Sequence, residues 1–189
     1  DPETPLEETL QALVDIVRQG KALYIGISRW PYEAMQTAYR YLAERDVPCF
    51  IYQGCYNLFY REPEESGVLQ QAKENGAGFI SFSPLAQGLL TDRYLNGVPE
   101  GSRIANGGHL KEDSLTPETL KRIQALHNIA QQRGQTLAEM ALAWVLNHEA
   151  VTSVIVGASS VSQLEKNLKA MHSPDFSAEE LQEIERVLQ

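Results

Sequence analysis

Gly78-Phe79-Ile80-Ser81-Phe82 is short, almost continuously apolar, and framed by Asn75-Gly76 before it and Ser83-Pro84 after it. A run of this kind, bounded by turn residues, reads as a strand buried on both faces of a parallel sheet. Three more runs share the form: Ala22-Leu23-Tyr24-Ile25-Gly26-Ile27, Cys49-Phe50-Ile51-Tyr52 and Ser153-Val154-Ile155-Val156. They predict strands near 22–27, 49–53, 78–82 and 153–156. The first three begin about 27 to 30 residues apart, the spacing of right-handed βαβ units.

Helix signals fill the intervals. Thr4-Pro5-Leu6-Glu7, Thr136-Leu137-Ala138-Glu139, Ser160-Val161-Ser162-Gln163 and Ser177-Ala178-Glu179-Glu180 have capping-box spacing. The first places Pro5 at the opening helical position, and Gly20 ends that helix. Thr116-Pro117 opens another, running to about Arg133 and closing at Gly134. Periodicity predicts two further helices, Tyr32 to Glu44 and Glu64 to Asn75, with Met35, Ala38 and Leu42 facing the core. A long Gly-rich loop, about Leu85 to Leu115, precedes the last strand. The fold class is α/β. A doubly wound four-stranded sheet is possible; a (β/α)8 barrel needs eight strands and typically about 250 residues, so this chain could supply only half of one.

The 189 residues carry 16 Lys plus Arg and 25 Asp plus Glu, a formal charge of −9. That acidity argues against non-specific binding to nucleic acid or anionic membrane. No apolar run approaches the roughly 18 residues of a membrane span. Asp1-Pro2-Glu3-Thr4-Pro5 is no signal peptide, and two cysteines, Cys49 and Cys55, form neither a disulfide framework nor a zinc site. Both read as small buried apolar residues. The expectation is a cytoplasmic protein with no metal, nucleic-acid or membrane partner.

Ligands of parallel α/β folds bind at the carboxyl ends of the strands. Those ends hold Ser28-Arg29-Trp30, Gln53 with Tyr56-Asn57, Phe82-Ser83-Pro84-Leu85-Ala86-Gln87-Gly88, and Gly157-Ala158-Ser159-Ser160. The hydroxyl, guanidinium and amide of the first two groups suit an amide-bearing ring, and Phe82 offers a face for stacking. Turns also favour such residues at any one position. Gly157 to Ser160 leads from a strand into a helix N-terminus, which serves either as an anion site or as ordinary capping. Arg93 and Arg103, in the long loop, either clamp a phosphate or lie solvated. His109, His127, His148 and His172 have no metal-ligand spacing and read as surface or satisfied residues. The residues outline a pocket for a phosphorylated ligand and supply no evident acid, base or nucleophile.

At these positions the sequence resembles the aldo-keto reductase family, in the branch containing potassium channel β subunits and bacterial glyceraldehyde-phosphate reductase-like enzymes. The motifs are Gly26-Ile27-Ser28-Arg29-Trp30, Gln53 with Tyr56-Asn57, Phe82 through Gly88, Ser102-Arg103, Met140 through Leu146, and Val156-Gly157-Ala158-Ser159 with Gln163 and Asn167. They follow the family's order over essentially the whole chain. The resemblance implies a (β/α)8 barrel, of which residues 1–189 are a single partial domain, the C-terminal half. It implies NADPH as cofactor, without a Rossmann motif. Ser28, Arg29 and Gln53 would contact the nicotinamide carboxamide, and Phe82 would stack on the ring. Ser83, Pro84, Leu85, Ala86 and Gln87 would wrap the pyrophosphate, and Gly88 belongs to the same cofactor-binding set. Arg93, Arg103, Ser159 and Gln163 would hold the 2′-phosphate end, and Asn167 the adenine, with Gly157 also among the cofactor-binding residues. Arg29 stands where many members have Asn, and Lys166 where an acidic residue often meets the adenine; a lysine there favours a 2′-phosphate.

By the same resemblance, the family's catalytic Asp, Tyr, Lys and His precede the start of this chain, and Tyr24, Tyr52 and Tyr56 do not replace them. The implied function is reduction of aldehydes or ketones by hydride transfer, represented here by the cofactor-binding half. The alternatives are a non-catalytic NADP-binding or partner-binding module, or an inactive half-barrel. The isolated half is expected to lack activity and to associate, with a second copy or with the missing half-barrel, because its edge strands are unpaired.

Overall fold

The computed structural model describes residues 3–95, 97–98, 114–173 and 175–189. The chain opens with α1 (Leu6–Arg18), whose Leu10 and Val14 are buried. Pro5 is its N-cap rather than its first helical residue, so the opening lies one residue beyond the expected box. There follow β1 (Ile25–Ser28), α2 (Tyr32–Ala43) and β2 (Cys49–Cys55), then the short α3 (Glu62–Glu65) and α4 (Val68–Glu74), and β3 (Gly78–Phe82). Two 3₁₀ turns, Ala86–Gly88 and Asp92–Tyr94, occupy the start of the long loop. The chain continues through α5 (Pro117–Gln132), α6 (Leu137–Asn147), β4 (Val151–Val154), α7 (Val161–Leu168), a 3₁₀ turn at Lys169–His172, and α8 (Ala178–Leu188).

The four strands form one sheet in the order β1-β2-β3-β4, every pair parallel. This is the succession of βα units in half of a (β/α)8 barrel. Ile27, Tyr52 and Phe79 are register partners and all are buried. Tyr52 and Phe79 stack with centroids 5.6 Å apart. A Cβ at Gly54 would lie 2.7 Å from the Phe79 ring, so the strand takes glycine there because the ring has no room to yield. The opposite face is not buried as the apolar runs predict: Gly26 and Ser28 are exposed, and Ile51, Gln53, Ile80 and Phe82 half-buried. Burial alternates along β1, β2 and β3, as in a sheet with one face covered and the other open.

Two boundaries differ from the periodicity. The helix expected over 64–75 is divided, because Gly67 adopts φ +82° between α3 and α4, a conformation open to glycine. The first strand starts at Ile25, not Ala22, and the last occupies Val151–Val154, two residues early.

Capping chemistry fixes the later helices. Thr136 and Glu139 form a full box on α6: Thr136 N–H donates to Glu139 Oε2 at 2.7 Å, and Glu139 N–H to Thr136 Oγ1 at 3.2 Å. Ser177 and Glu180 do the same on α8, and Thr116 caps α5 by accepting from Thr119 N–H at 3.1 Å. α6 is buried nearly all round, from Leu137 through Val145. Each large apolar side chain removed from water there contributes about 1.5–3 kcal/mol. This helix therefore anchors β4 and the segment that follows it.

Candidate functional site

The sheet brings the first three strand ends into line. Ser28, the last residue of β1, is the register partner of Gln53, and Arg29 N–H donates to Gln53 O at 3.1 Å. Phe82 closes β3 opposite Cys55. Cys49 is buried and Cys55 half-buried; both thiols are free, and burial pushes both above their ordinary range.

Backbone strain gathers at the same edge. Five described non-glycine residues have positive φ, and four of them are candidate site residues: Arg29 (57°), Ser83 (53°), Ala86 (45°) and Gln87 (57°). Such conformations cost about 1–3 kcal/mol each and persist where surroundings over-determine them.

A groove of about 550 Å³ opens between the exit of β3 and the start of α7. Of the candidate residues it is lined by Ser83, Pro84, Leu85, Gln87, Gly88, Arg93, Gly157, Ser159, Gln163 and Asn167. Segments some 70 residues apart in sequence meet here because β3 pairs with β4. Ala86 belongs to the turn without lining the groove. Ser28, Arg29, Gln53 and Phe82 sit along the adjoining strand ends, outside its lining. Arg103 lies outside the described residues, as do Ser102 and His109.

Thr91 ties the long loop to the β3 exit. Its hydroxyl donates to Gly88 O at 2.7 Å and accepts from Arg93 N–H at 3.3 Å. On the opposite wall, Ser160 caps α7 by accepting from Gln163 N–H at 3.2 Å. The Gln163 side chain does not complete the expected box. Its Oε1 turns instead to Ser159, accepting from the N–H at 2.9 Å and from Oγ at 3.1 Å.

The groove favours an anion. Arg93 and Lys166 line it, and neither forms an ion pair among the described residues. The carboxylate there, Asp92, is engaged by His127 Nδ1 at 2.9 Å. The α7 N-terminus adds its partial positive charge. Asn167 is 8% exposed, and its Nδ2 has no partner among the described residues. A buried unpaired amide is costly, and a ligand acceptor would relieve it. At Gly157 a Cβ would meet nothing within 4 Å, so the backbone is bare toward the open space.

The sequence motifs do not announce several contributors, Thr91 and Asp92 among them. Thr136 and Ala138 line the groove from the start of α6, although the Thr136 motif reads only as a helix cap. Asn57, quoted in a motif without a role, is 2% exposed and donates from Nδ2 to Ser83 O at 3.0 Å. Of the described histidines, His127 is paired with Asp92, His148 Nδ1 accepts from Ala150 N–H at 3.2 Å, and His172 is exposed.

Four parallel βα units with a groove at the carboxyl ends of the strands make an α/β fold that matches part of a (β/α)8 barrel. The chain belongs to the aldo/keto reductase family, whose profile matches residues 1–189. It is 47% identical over 190 aligned residues to L-glyceraldehyde 3-phosphate reductase of Escherichia coli O157:H7, covering 98% of this chain and 55% of that protein. It is 45% identical to the protein of the same name from Escherichia coli strain K12, with the same coverage. Among solved structures, a thermostable aldo-keto reductase in complex with the inhibitor epalrestat superposes with a TM-score of 0.73 at 29% identity. That match covers 99% of this chain and 56% of the solved one. The chain thus spans about half the length of the curated relatives it matches. Among the described residues no helix is long and apolar enough to cross a membrane, and no group of three or more His, Cys, Asp or Glu could hold a metal.

Proposed function

We propose that this chain is the NADP(H)-gripping part of an oxidoreductase that reduces small aldehydes or ketones. The observation that carries the reading is the groove itself. It joins two cations and an Asn167 amide that have no partner among the described residues, with a helix N-terminus, beside the turn from Ser83 to Gly88. When bound, NADPH supplies hydride to a carbonyl carbon. Family membership supports a nicotinamide cofactor in general terms; the phosphorylated form is inferred from the groove's charge.

The residues divide the work by position. Arg93, Lys166, Ser159 and Gln163, with Arg103 from the long loop, hold a 2′-phosphate, and Asn167 Nδ2 meets an acceptor on the adenine. Gly157 lets the nucleotide approach the backbone. Ser83 through Gly88 follow the pyrophosphate, and Ser28, Arg29 and Gln53 orient the nicotinamide carboxamide beside Phe82. The relatives, L-glyceraldehyde 3-phosphate reductases, make a small phosphorylated aldehyde the substrate class to try first.

Proton donation is not assigned to the phenols in this chain. Tyr52 OH donates to Trp30 O at 2.8 Å, and burial, with the Glu62 carboxylate, pushes it up to about 12. Tyr56 is pushed higher still, by burial and by Glu64, to which its OH donates at 3.1 Å. Tyr24 lies before β1, at the other end of the sheet, packed edge-on against Phe50. These side chains hold structure; the described units bind and orient.

The test is to titrate NADPH and NADH into the full-length protein, then follow NADPH oxidation with a panel of aldehydes. The reading expects tighter binding of NADPH, weakened about 10- to 100-fold by Arg93→Ala, Lys166→Ala or Arg103→Ala, as for loss of one charge-assisted contact. Binding without turnover of any carbonyl would favour a nucleotide-binding module. Equal affinities, unmoved by the substitutions, would overturn the phosphate assignment.

A further inference from the structure

We propose that Asn57 is the positioning residue of the cofactor turn: by clamping the carbonyl of Ser83 it fixes how the Ser83–Gly88 turn, with its left-handed residues Ser83, Ala86 and Gln87, sits at the groove. The inference deepens the NADP(H) reading and rests on it. It assigns a role to a residue that does not line the groove.

The side chain of Asn57 is used at both ends. Its Oδ1 accepts from Phe59 N–H at 2.9 Å and Tyr60 N–H at 3.0 Å, closing the turn after β2. Backbone bonds between Asn57 and Tyr60, at 3.1 and 3.0 Å, lock the same turn. Its Nδ2 then donates across to Ser83 O at 3.0 Å and lies 3.8 Å from Cys55 Sγ. Only this orientation of the amide satisfies all the partners, since the reverse would set oxygen against oxygen and N–H against N–H.

At Ser83 the consequence is local and strong. The Ser83 carbonyl also accepts from Ala86 N–H at 2.9 Å, so both of its lone pairs are occupied. A carbonyl held at both lone pairs fixes the plane of the Ser83–Pro84 peptide, and with it the direction in which the chain leaves Ser83, itself at φ 53°. Ala86 and Gln87 repeat the left-handed geometry three and four residues on. Non-glycine residues do not adopt such a series unaided.

The donor is itself rigidly mounted. Ser81 Oγ, fully buried, donates to Tyr56 O at 2.7 Å, a second tether between the ends of β2 and β3. The Tyr56 ring packs on Phe79 and Trp144, and its hydroxyl is bonded to Glu64. Asn57 therefore transfers the rigidity of the core to a turn on the rim.

Asn57→Asp separates the two ends of the side chain. It retains an acceptor for the Phe59 and Tyr60 N–H groups but replaces the donor by a carboxylate oxygen facing Ser83 O. In the full-length protein, NADPH should bind about 10- to 100-fold more weakly. Adenosine 2′,5′-bisphosphate, which engages only the Arg93–Asn167 end, should bind within about twofold of wild type. Asn57→Ser, too short to reach Ser83 yet able to cap the turn, gives the same split if the Asp variant does not fold. Equal weakening of both ligands, or of neither, would overturn the positioning role. Wild-type protein that binds neither ligand would overturn the cofactor reading beneath it, a different and recognisable failure.

Discussion

The side-chain oxygen of Gln163 accepts two hydrogen bonds from Ser159, from its N–H at 2.9 Å and from its hydroxyl at 3.1 Å. With the oxygen committed to Ser159, the amide nitrogen is the part left to donate into the groove. Gln163→Glu keeps an acceptor for Ser159 and exchanges the donor for negative charge. NADPH affinity should fall about 10- to 100-fold and NADH affinity much less, because only NADPH brings a 2′-phosphate to that charge. Parallel titrations of both cofactors measure it; an equal loss for the two would place Gln163 away from the phosphate.

Gly157→Ala should separate stability from binding. A Cβ at this position meets nothing within 4 Å, and Gly157 is not among the glycines with positive φ. The urea midpoint should therefore stay near wild type, the change in stability being within about 0.5 kcal/mol. NADPH should bind several-fold more weakly, since the methyl group occupies groove space. A variant that binds normally would show that the nucleotide does not run along this backbone.

The strand ends could be read locally, whereas the groove could not. Gly78–Phe82 is the strand its boundaries imply, because Gly76 and Pro84 punctuate it on both sides. Leu23 and Tyr24 are equally apolar yet 83% and 68% exposed and outside β1. Apolarity marks surface that can be buried and does not specify which residues pair. Gly67 interrupts a continuous helical period by adopting a positive φ, which periodicity does not register. Residues such as Gln53, Ser83 and Ser159 could be named from their place after a strand. Thr136 and Asn57 could not be assigned in that way, because their contributions depend on contacts between distant segments.

The network beneath the site has a defined pH dependence. Glu64 accepts from Arg61 Nε and Nη2, each at 3.0 Å, and from Tyr56 OH. Burial raises its carboxyl, but the Arg61 bonds and charge outweigh burial and hold it below the ordinary carboxylate range. A depressed folded value means stability that is present above the unfolded value of about 4.3 and lost as pH falls through the folded one. Glu64→Gln should therefore be less stable than wild type near neutral pH, and the gap should close in acid. Urea midpoints measured from about pH 7 to about pH 3 test the sign. A gap that widens in acid would contradict it.

Hydrogen–deuterium exchange of the full-length protein with and without NADPH tests the central claim most directly, because it reports where the cofactor lies. New protection is expected in two separate segments, Ser83 through Gly88 and Gly157 through Asn167, which form facing walls of the groove. None is expected in the second groove, of about 460 Å³, between Phe59 and Arg122. Protection confined to that second groove, or absent from the Gly157–Asn167 segment at saturating NADPH, would contradict it.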